Sequence, residues 1–538
     1  MQRESSTSLE DQLSSLNPEI VKLMKIAGTV GLSLGVYRNG ERNYYANFGF
    51  RDAAAKLPVS EQTVFCGCAL TKLFTALSMA IIVDDTSNKI GWNTLIRKVL
   101  PDFNPRDCSL GEQMTISDIL AHRTGLSNCD FLGSENSTLF AHKDSLRHLN
   151  DQVPLKPLRE QMQYNNLGYE LAGLVIDNVT ESWANVFRQQ LFGPLGMKRS
   201  FVGRPPERIG NVAKAYNTLD DATWVEIPLT GAGEGAFLGS SEGMFTCVED
   251  LLNAYSKIME AVDDQFTTGE SFTKGSPIKQ ATEVFSAKIP MCQPTLLEAS
   301  YGFGIGRVQL PGAMGQFGMN PGLMPDRKMP VVAKGAPSRL VFYHQGSLPG
   351  ALSAMVMIPE LQTAVVVMTN SLALNDCADW VMQLVIEQLL DAPQRNDYIA
   401  AATISTASTL RWYEDTMQCL RAEPREGKPP RPLEEYVGTY KSMMRHLDVK
   451  VTILEGQLYW ALQGRDTESF KLDHFDGDTF IWLRPRDYLV ARGRWVGQPA
   501  AYWKVKFSGG LEGSFTDYIN WVVDPAVPRG VFFVRDDF

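Results

Sequence analysis

The segment FCGCALTKLFTALSMAIIVD, residues 65–84, limits the folds open to this chain more than any other stretch. From Leu70 to Val83 most side chains are apolar, and Lys72 is the one charge. A helix that is apolar nearly all round belongs in the centre of a large domain. The pattern therefore predicts a buried helix entered from a short Gly/Cys turn. Burial lowers the pKa of a lysine, and a lysine so shifted can serve as a base. One helical turn earlier, on the same face, stands Ala69. A hydroxyl at that position would complete Ser-x-x-Lys, a nucleophile beside its base.

The rest of the chain supplies the setting for such a helix. Its 538 residues predict two or three domains, with ample length for a core. A net charge of −10 without long acidic or basic runs argues against nucleic acid or an anionic membrane as the main partner. The opening MQRESSTSLEDQLSS lacks the apolar stretch of a secretory signal, and the mostly apolar run Leu73 to Val83 is too short to span a bilayer. The eight cysteines are irregularly spaced with no CxxC, so free thiols and a cytoplasmic setting are expected. There is no HExxH, P-loop or dinucleotide fingerprint, and His142 and His148 lack partners at metal spacing, so no cofactor is expected.

Periodicity predicts an amphipathic helix over Ser8 to Ala27 and a hairpin of Thr29 to Tyr37 with Asn43 to Arg51, turned at Asn39-Gly40. Short helices are expected at Asn93 to Leu100 and Ser117 to Ala121, followed by the turn HRTGLS. Residues 127 to 160 read as a polar loop with helical pieces. Leu167 to Val179 and Ser182 to Phe192 read as helices, the second stopping before Pro-Leu-Gly. Asp250 to Ala261 is another helix, and 262 to 298 is weakly patterned. Tyr301 to Val308 reads as one strand. Residues 309 to 337, rich in Gly, Pro and Met, read as a long loop, either functional or a disordered insertion. Arg339 to His344, Ala351 to Ile358 and Thr363 to Asn370 read as strands that join the N-terminal hairpin in one antiparallel sheet. Asp376 to Leu390 is a closing helix.

Beyond it, a helical stretch at Leu410 to Arg421 and the linker EPREGKPPRP lead to alternating short strands. The expected division is 1–392 as a catalytic domain, 393–432 as a helical segment and linker, and 433–538 as a small all-β domain. The fold class is α+β followed by all-β.

Three motifs carry chemistry. The first is ALTK, with Lys72 as base and residue 69 as the nucleophile position. The second is Tyr164-Asn165-Asn166 ahead of a helix: a tyrosine can shuttle protons to an acyl leaving group, and Asn166 can orient the lysine and a substrate amide. The third is His344-Gln345-Gly346-Ser347 at a strand end, where Gly346 admits a substrate carbonyl. There the N–H groups of Ser347 and residue 69 can form an oxyanion hole. Ser271-Phe272-Thr273-Lys274 and Ser276-Pro277-Ile278-Lys279 fit Ser-x-x-Lys by letters but lack a helical pattern. Gly239-Ser240-Ser241-Glu242-Gly243 fits G-x-S-x-G, yet the strand before it and the β/α alternation are missing. It reads as a loop leading to the helix at Asp250.

Taken in order, these pieces resemble the serine β-lactamase and penicillin-binding-protein superfamily, in its class C and D-Ala-D-Ala carboxypeptidase branch, including fungal natural-product members. CALTKLFTALSMA resembles the nucleophile helix, ILAHRTGLS the LLxHxSGL turn, YNNLGYELAG the Tyr-x-Asn motif, and YGFGIG with YHQGSLPG the strand pair ending in His/Lys-x-Gly. The resemblance covers about residues 15 to 392, and residues 433 to 538 are similar to lipocalin-like domains appended to some members. It implies covalent acyl transfer without a cofactor. Serine at 69 attacks an ester, amide or thioester carbonyl, Lys72 activates it, and Tyr164 relays protons. Asn166 orients, residues 69 and 347 hold the oxyanion, and His344 and Gly346 fix the substrate. The implied partners are a small-molecule acyl substrate and, for transfer, a second acyl acceptor or carrier-bound thioester, with no nucleic acid and no membrane.

At the one position that performs this chemistry the chain has Ala69. An introduced serine-to-alanine change competes with a chain naturally released from catalysis. Retention of Lys72, Tyr164, Asn166, His344 and Gly346 favours an otherwise intact site, inactive or strongly impaired as written. The function so implied is a serine hydrolase or acyltransferase, plausibly in natural-product biosynthesis. The alternatives are a silent binding or scaffold protein, a peptide or lactone cyclase, and an enzyme with Ser241 as nucleophile.

Overall fold

The computed structural model describes residues 8–128, 139–291, 295–443, 447–511 and 513–536. Parts of two weakly patterned stretches, at 129–138 and 292–294, lie outside them.

The predicted N-terminal helix is two pieces. Leu9–Leu13, capped by Ser8, passes through one 3-10 turn into α1 (Asn17–Ala27), which starts at Pro18 and is closed by left-handed Gly28. Strands β1 (Gly31–Arg38) and β2 (Tyr44–Asp52) form the expected hairpin. The long apolar segment becomes a 3-10 turn at Cys68–Leu70 followed by α2 (Thr71–Asp84), with eleven of the helix's residues buried. Helix α3 (Asn166–Val179) is started by Asn165, whose side chain accepts the Leu167 N–H. The next helix does not stop at Phe192: a π-helical turn carries it on to Leu195, where left-handed Gly196 ends it.

Helix α4 (Val248–Thr268) extends a full two turns past the expected Ala261, because its buried face continues through Val262 and Gln265, whose side-chain amide bonds the Ile278 carbonyl and the Ala281 N–H. Tyr301 to Val308 is not one strand. The chain folds back between Ala299–Tyr301 and β3 (Gly306–Leu310), pairing Tyr301 with Gly306. The turn needs Gly304: its φ is +74°, and a Cβ there would stand 2.5 Å from the Lys72 carbonyl oxygen. The hairpin tip is thus pressed onto the backbone of α2.

Residues 309 to 337 are neither patternless nor detached. They hold a short strand pair, Gly312–Ala313 with Val331–Val332, and a helical turn at Asn320–Leu323, and they bury Met314 and Met329. Strand β4 (Arg339–Leu348) runs four residues past the expected end at His344, so the HQGS motif lies inside a strand. β5 (Ala351–Ile358) and β6 (Thr363–Thr369) follow, with β6 pairing back to β1. The result is a nine-stranded sheet built from both ends of the region, ordered Leu57–Pro58, β2, β1, β6, β5, β4, β3, Ala299–Tyr301, Ile289–Pro290. α4 packs on one face, while α1 and α5 (Cys377–Leu389) pack on the other.

A 25-residue helix, α6 (Tyr398–Ala422), is twice the length expected there and leads to the second β region. Nine strands between Gly438 and Arg535 form one antiparallel sheet whose outer strands, Ser469–Lys471 and Asp473–Asp476, are consecutive in the chain. The sheet is a nearly closed barrel around buried Trp460, Trp482, Trp503 and Trp521. It touches the first region where Asp524 accepts the Asn128 N–H at 3.1 Å and where Arg486 bonds the Thr218 carbonyl at 2.9 Å. The six described cysteines are free thiols, and no described helix is long and apolar enough to cross a membrane.

Candidate active site

The site lies between α2, the N-terminus of α3 and the last five residues of β4. Ala69 sits in the 3-10 turn that opens α2, and Lys72 in the first turn of the helix, fully buried. Thr71 fixes the turn by donating to the Cys68 carbonyl at 2.6 Å and accepting the Met244 N–H at 3.1 Å. Lys72 Nζ donates to the Ser241 carbonyl at 3.4 Å and stands 5.1 Å and 5.5 Å from the ring centres of Tyr164 and Tyr169. The ammonium is thus held over two aromatic faces in a dry setting.

Tyr164 and Asn166 reach it because the HRTGLS turn holds their backbone. The Gln163 N–H donates to the His122 carbonyl at 2.7 Å. The Asn165 N–H donates to His122 Nδ1 at 3.1 Å, and its side-chain amide to the Leu126 and Ser127 carbonyls at 3.2 and 3.0 Å. With Nδ1 accepting, the His122 proton is on Nε2. Burial, then the charges of Lys72 and His344, push His122 well below the usual histidine range. Its ring stays neutral and packs on Tyr164, Tyr169 and Tyr301.

On the sheet side, β3 pairs with β4 only as far as Tyr343, so residues 344–348 run on beyond it. Gly346 lies directly against the turn: a Cβ there would come within 2.8 Å of the Ala69 nitrogen and of Cys68 Cβ. His344 is buried one residue pair earlier. Its Nδ1 donates to the Gln345 carbonyl at 2.5 Å and its Nε2 accepts from the Tyr301 hydroxyl at 3.1 Å. Burial and then the Lys72 charge push it down to about 3, so at neutral pH it is a neutral imidazole with both nitrogens engaged. That makes it a fixed hydrogen-bonding group and not a proton reservoir.

The structure therefore brings Ala69, Lys72, Tyr164, Asn166, His344, Gly346 and Ser347 to one locality. It also brings in Ser241, weighed from the sequence only as an alternative nucleophile, and two residues that sequence patterns passed over, Tyr301 and Phe317. Ser241, read as part of a loop toward Asp250, is in a buried helical turn, Gly239–Glu242, and its hydroxyl donates to Asn166 Oδ1 at 3.2 Å. Tyr301 is the partner of His344. Phe317, from the Gly/Pro/Met segment, stacks on His344 at 4.7 Å and 15° and lies 5.9 Å from Tyr164. The two other Ser-x-x-Lys matches are elsewhere: the Ser271 hydroxyl donates to Asp84, and Lys279 covers the Phe272 ring.

A family model described as Beta-lactamase matches residues 16–385. The chain belongs to the beta-lactamase family. Residues 422–525 of this beta-lactamase-family chain match a second model, a domain of unknown function (DUF3471). An unguisins hydrolase, ungD, of Aspergillus violaceofuscus is 27% identical over 511 residues, covering 88% of this chain and 83% of its own. Among solved structures, the octameric penicillin-binding protein homologue from Pyrococcus abyssi matches with a TM-score of 0.55 at 17% identity, over 97% of this chain and all of its own. A class C beta-lactamase matches with a TM-score of 0.53 at 17% identity, over 74% of this chain and 100% of that one. At such identities the structural likeness bears on the fold alone.

Proposed function

We propose that this beta-lactamase-family chain is a hydrolase or acyltransferase scaffold for small-molecule esters, amides or thioesters, working through an acyl-enzyme at residue 69 when that residue is serine. The observation that carries the reading is the approach of Gly346 to the Ala69 nitrogen with Lys72 buried one turn behind. A serine hydroxyl at residue 69 attacks the carbonyl, and Lys72, once its ammonium has given a proton to water, takes the hydroxyl proton. The N–H groups of residues 69 and 347 hold the oxyanion. Tyr164 passes a proton to the leaving group, and Asn166, fixed by Ser241, orients Lys72 and the substrate. Neutral His344 keeps the strand in register. Water completes hydrolysis, and a second acyl acceptor or a carrier-bound thioester completes transfer.

The likeness to an unguisins hydrolase along most of both chains supports a natural-product substrate. The cytosol and no nucleic-acid or membrane partner are part of the same reading. So are domain limits of 1–392, 393–432 and 433–538, the last a lipocalin-like barrel. Phe317 supports the segment 309–337 as a wall of the pocket. Ala69→Ser incubated with an activated ester and read by mass spectrometry tests the mechanism. An adduct on the residue-69 peptide is expected, and no adduct or turnover across ester and amide panels overturns it.

Ala69 itself favours a second reading, a silent binder that retains the pocket. A ligand bound and left intact after Ala69→Ser would establish it. A fluorophosphonate separates the remaining possibility: labelling of the chain as it stands points to Ser241, and labelling only after Ala69→Ser to residue 69.

A further inference from the structure

Behind the HQGS strand lies a group of buried carboxyls that the chemistry above does not use. Asp379, on α5, is fully buried and accepts three amide N–H bonds. Gln345 Nε2 donates to its Oδ1 at 2.9 Å, and Asn320 Nδ2 and Gln383 Nε2 to its Oδ2 at 3.0 and 2.9 Å. The three donors come from β4, from the segment before it and from α5 itself. Asp376, at the N-cap of α5, is also buried. Its Oδ1 accepts the Asp379 N–H at 3.1 Å, and Asn320 Oδ1 accepts the Asp376 N–H at 2.9 Å. The backbone on either side of Phe317 rests on the same carboxyls. A Cβ on Gly318 would lie 2.5 Å from Asp376 Oδ2, and one on Gly315 2.6 Å from Asp379 Oδ2. Neither aspartate has an ion-pair partner among the described residues.

We propose that Asp379, with Asp376, is the positioning centre of the sheet side of the site: it fixes Gln345 between His344 and Gly346, fixes the Phe317 segment over His344, and makes both placements pH-sensitive. Two carboxyls without a cation in one buried cage do not both ionise readily. Burial pushes Asp379 up to about 6 against the pull of its three amide donors. Burial and the Asp379 charge also push Asp376 well above the usual carboxylate range. Of the other titratable groups around them, three are pushed up and one down. Cys68, in the turn before Ala69, Cys377, on α5 and raised to about 12, and Tyr398, on α6, are all pushed up mainly by burial. His344 is pushed down. Glu387, further along α5, is bound instead to the Ala333 and Asn396 N–H groups.

In any opened state Asp379 meets water and returns to its ordinary value of about 4. The closed arrangement is therefore most favoured below that value and loses ground as pH rises through about 6, and Asp376, raised in the same cage, extends the loss beyond.

Hydrogen–deuterium exchange of the chain as it stands reads this directly, once each peptide is corrected for the pH dependence of intrinsic exchange. Protection of peptides within 313–323 and 339–348 is expected to fall roughly tenfold or more between pH 4 and 6 and to fall further toward pH 7.5 as Asp376 follows. Peptides of the barrel serve as the unmoved reference. In Asp379→Asn the fall between pH 4 and 6 shrinks in both peptides together, since only Asp376, relieved of the Asp379 charge, still titrates. Flat protection in the unaltered chain, which needs no variant to fold, overturns the proposal, as does a fall undiminished in Asp379→Asn. The link to catalysis alone rests on the acyl-enzyme reading. In the Ala69→Ser background, Asp379→Asn should lower kcat for p-nitrophenyl acetate about tenfold at pH 7 with KM nearly unchanged. Failure of Ala69→Ser to acylate sinks that reading and leaves the exchange result standing.

Discussion

Each side of the site hangs from a buried aspartate, and the two are held in opposite ways. On the helical side, Asp118 sits at the start of the short helix before HRTGLS. Its carboxylate accepts from Arg123 Nε at 2.7 Å, Arg159 at 2.9 and 2.8 Å, and Thr115 at 2.9 and 2.7 Å. Burial raises its pKa, but the hydrogen bonds from Arg159 and Thr115 and the Arg123 charge outweigh that and hold it below the usual range. On the sheet side, Asp379 has amides only and is raised. A buried carboxylate matched by guanidinium groups stays charged and anchors the Tyr164 segment at any ordinary pH. One matched by neutral amides is poised to titrate, and the His344 strand inherits that property.

Breaking the ionic anchor should produce the largest change. Asp118→Ala leaves two arginines and the turn without their common acceptor and is expected to cost about 3–5 kcal/mol at pH 7 in urea unfolding. Because the folded pKa is depressed, the penalty should shrink as pH falls below about 4. Asp379→Asn should cost less, about 1–2 kcal/mol near pH 4, where the native carboxyl is most favoured. Its penalty should decline as pH rises through about 6, the reverse of Asp118. Equal pH trends in the two variants would abolish the contrast.

A third test lies on α3, where His142 bonds Glu170 at 2.9 Å and approaches Asp177 at 3.7 Å. The carboxylates of Asp177 and then Glu170 raise His142 to about 10. The resulting stabilisation is complete below pH 6.5 and is lost as pH rises through 10, so the roughly 1 kcal/mol cost of His142→Gln should be visible at pH 6 and absent near pH 11. The smallest change is expected from Arg421→Ala. Its pair with Glu414 is in water, with side chains 60% and 67% exposed, and thermal unfolding should register no more than about 0.5 kcal/mol.

Much of this arrangement was readable in the sequence, and what escaped has a common cause. ALTK, YNN and HQGS announce themselves because each combines a local pattern with a chemically distinctive residue. That one antiparallel sheet is built from both ends of the region was readable from strand-like apolar runs there, and its register of β1 against β6 came with the structure. Ser241 was readable only as a poor elbow, since its importance depends on the packing of a buried turn between α2 and α3. Tyr301 looked like the start of a continuous strand because alternation persists through YGFGIGRV. The fold-back at Gly304 is forced by contact with the Lys72 backbone, which lies over two hundred residues away in sequence. Phe317 was hidden for the opposite reason. A segment rich in Gly and Pro has no periodicity to read, yet those residues let its backbone lie flat on Asp376 and Asp379.

The backbone of residue 69 owes nothing to its own side chain. It is set by the Thr71 hydroxyl, by the Gly67 N–H on the Met244 carbonyl at 2.7 Å, by the Ser353 hydroxyl on the Gly67 carbonyl at 3.0 Å, and by the approach of Gly346. Serine and alanine at this position therefore share one conformation, and their codons can differ by a single base. On the acyl-enzyme reading proposed above, loss or gain of the nucleophile then requires no compensating substitution elsewhere, for as long as Lys72, Tyr164 and the glycine contact persist.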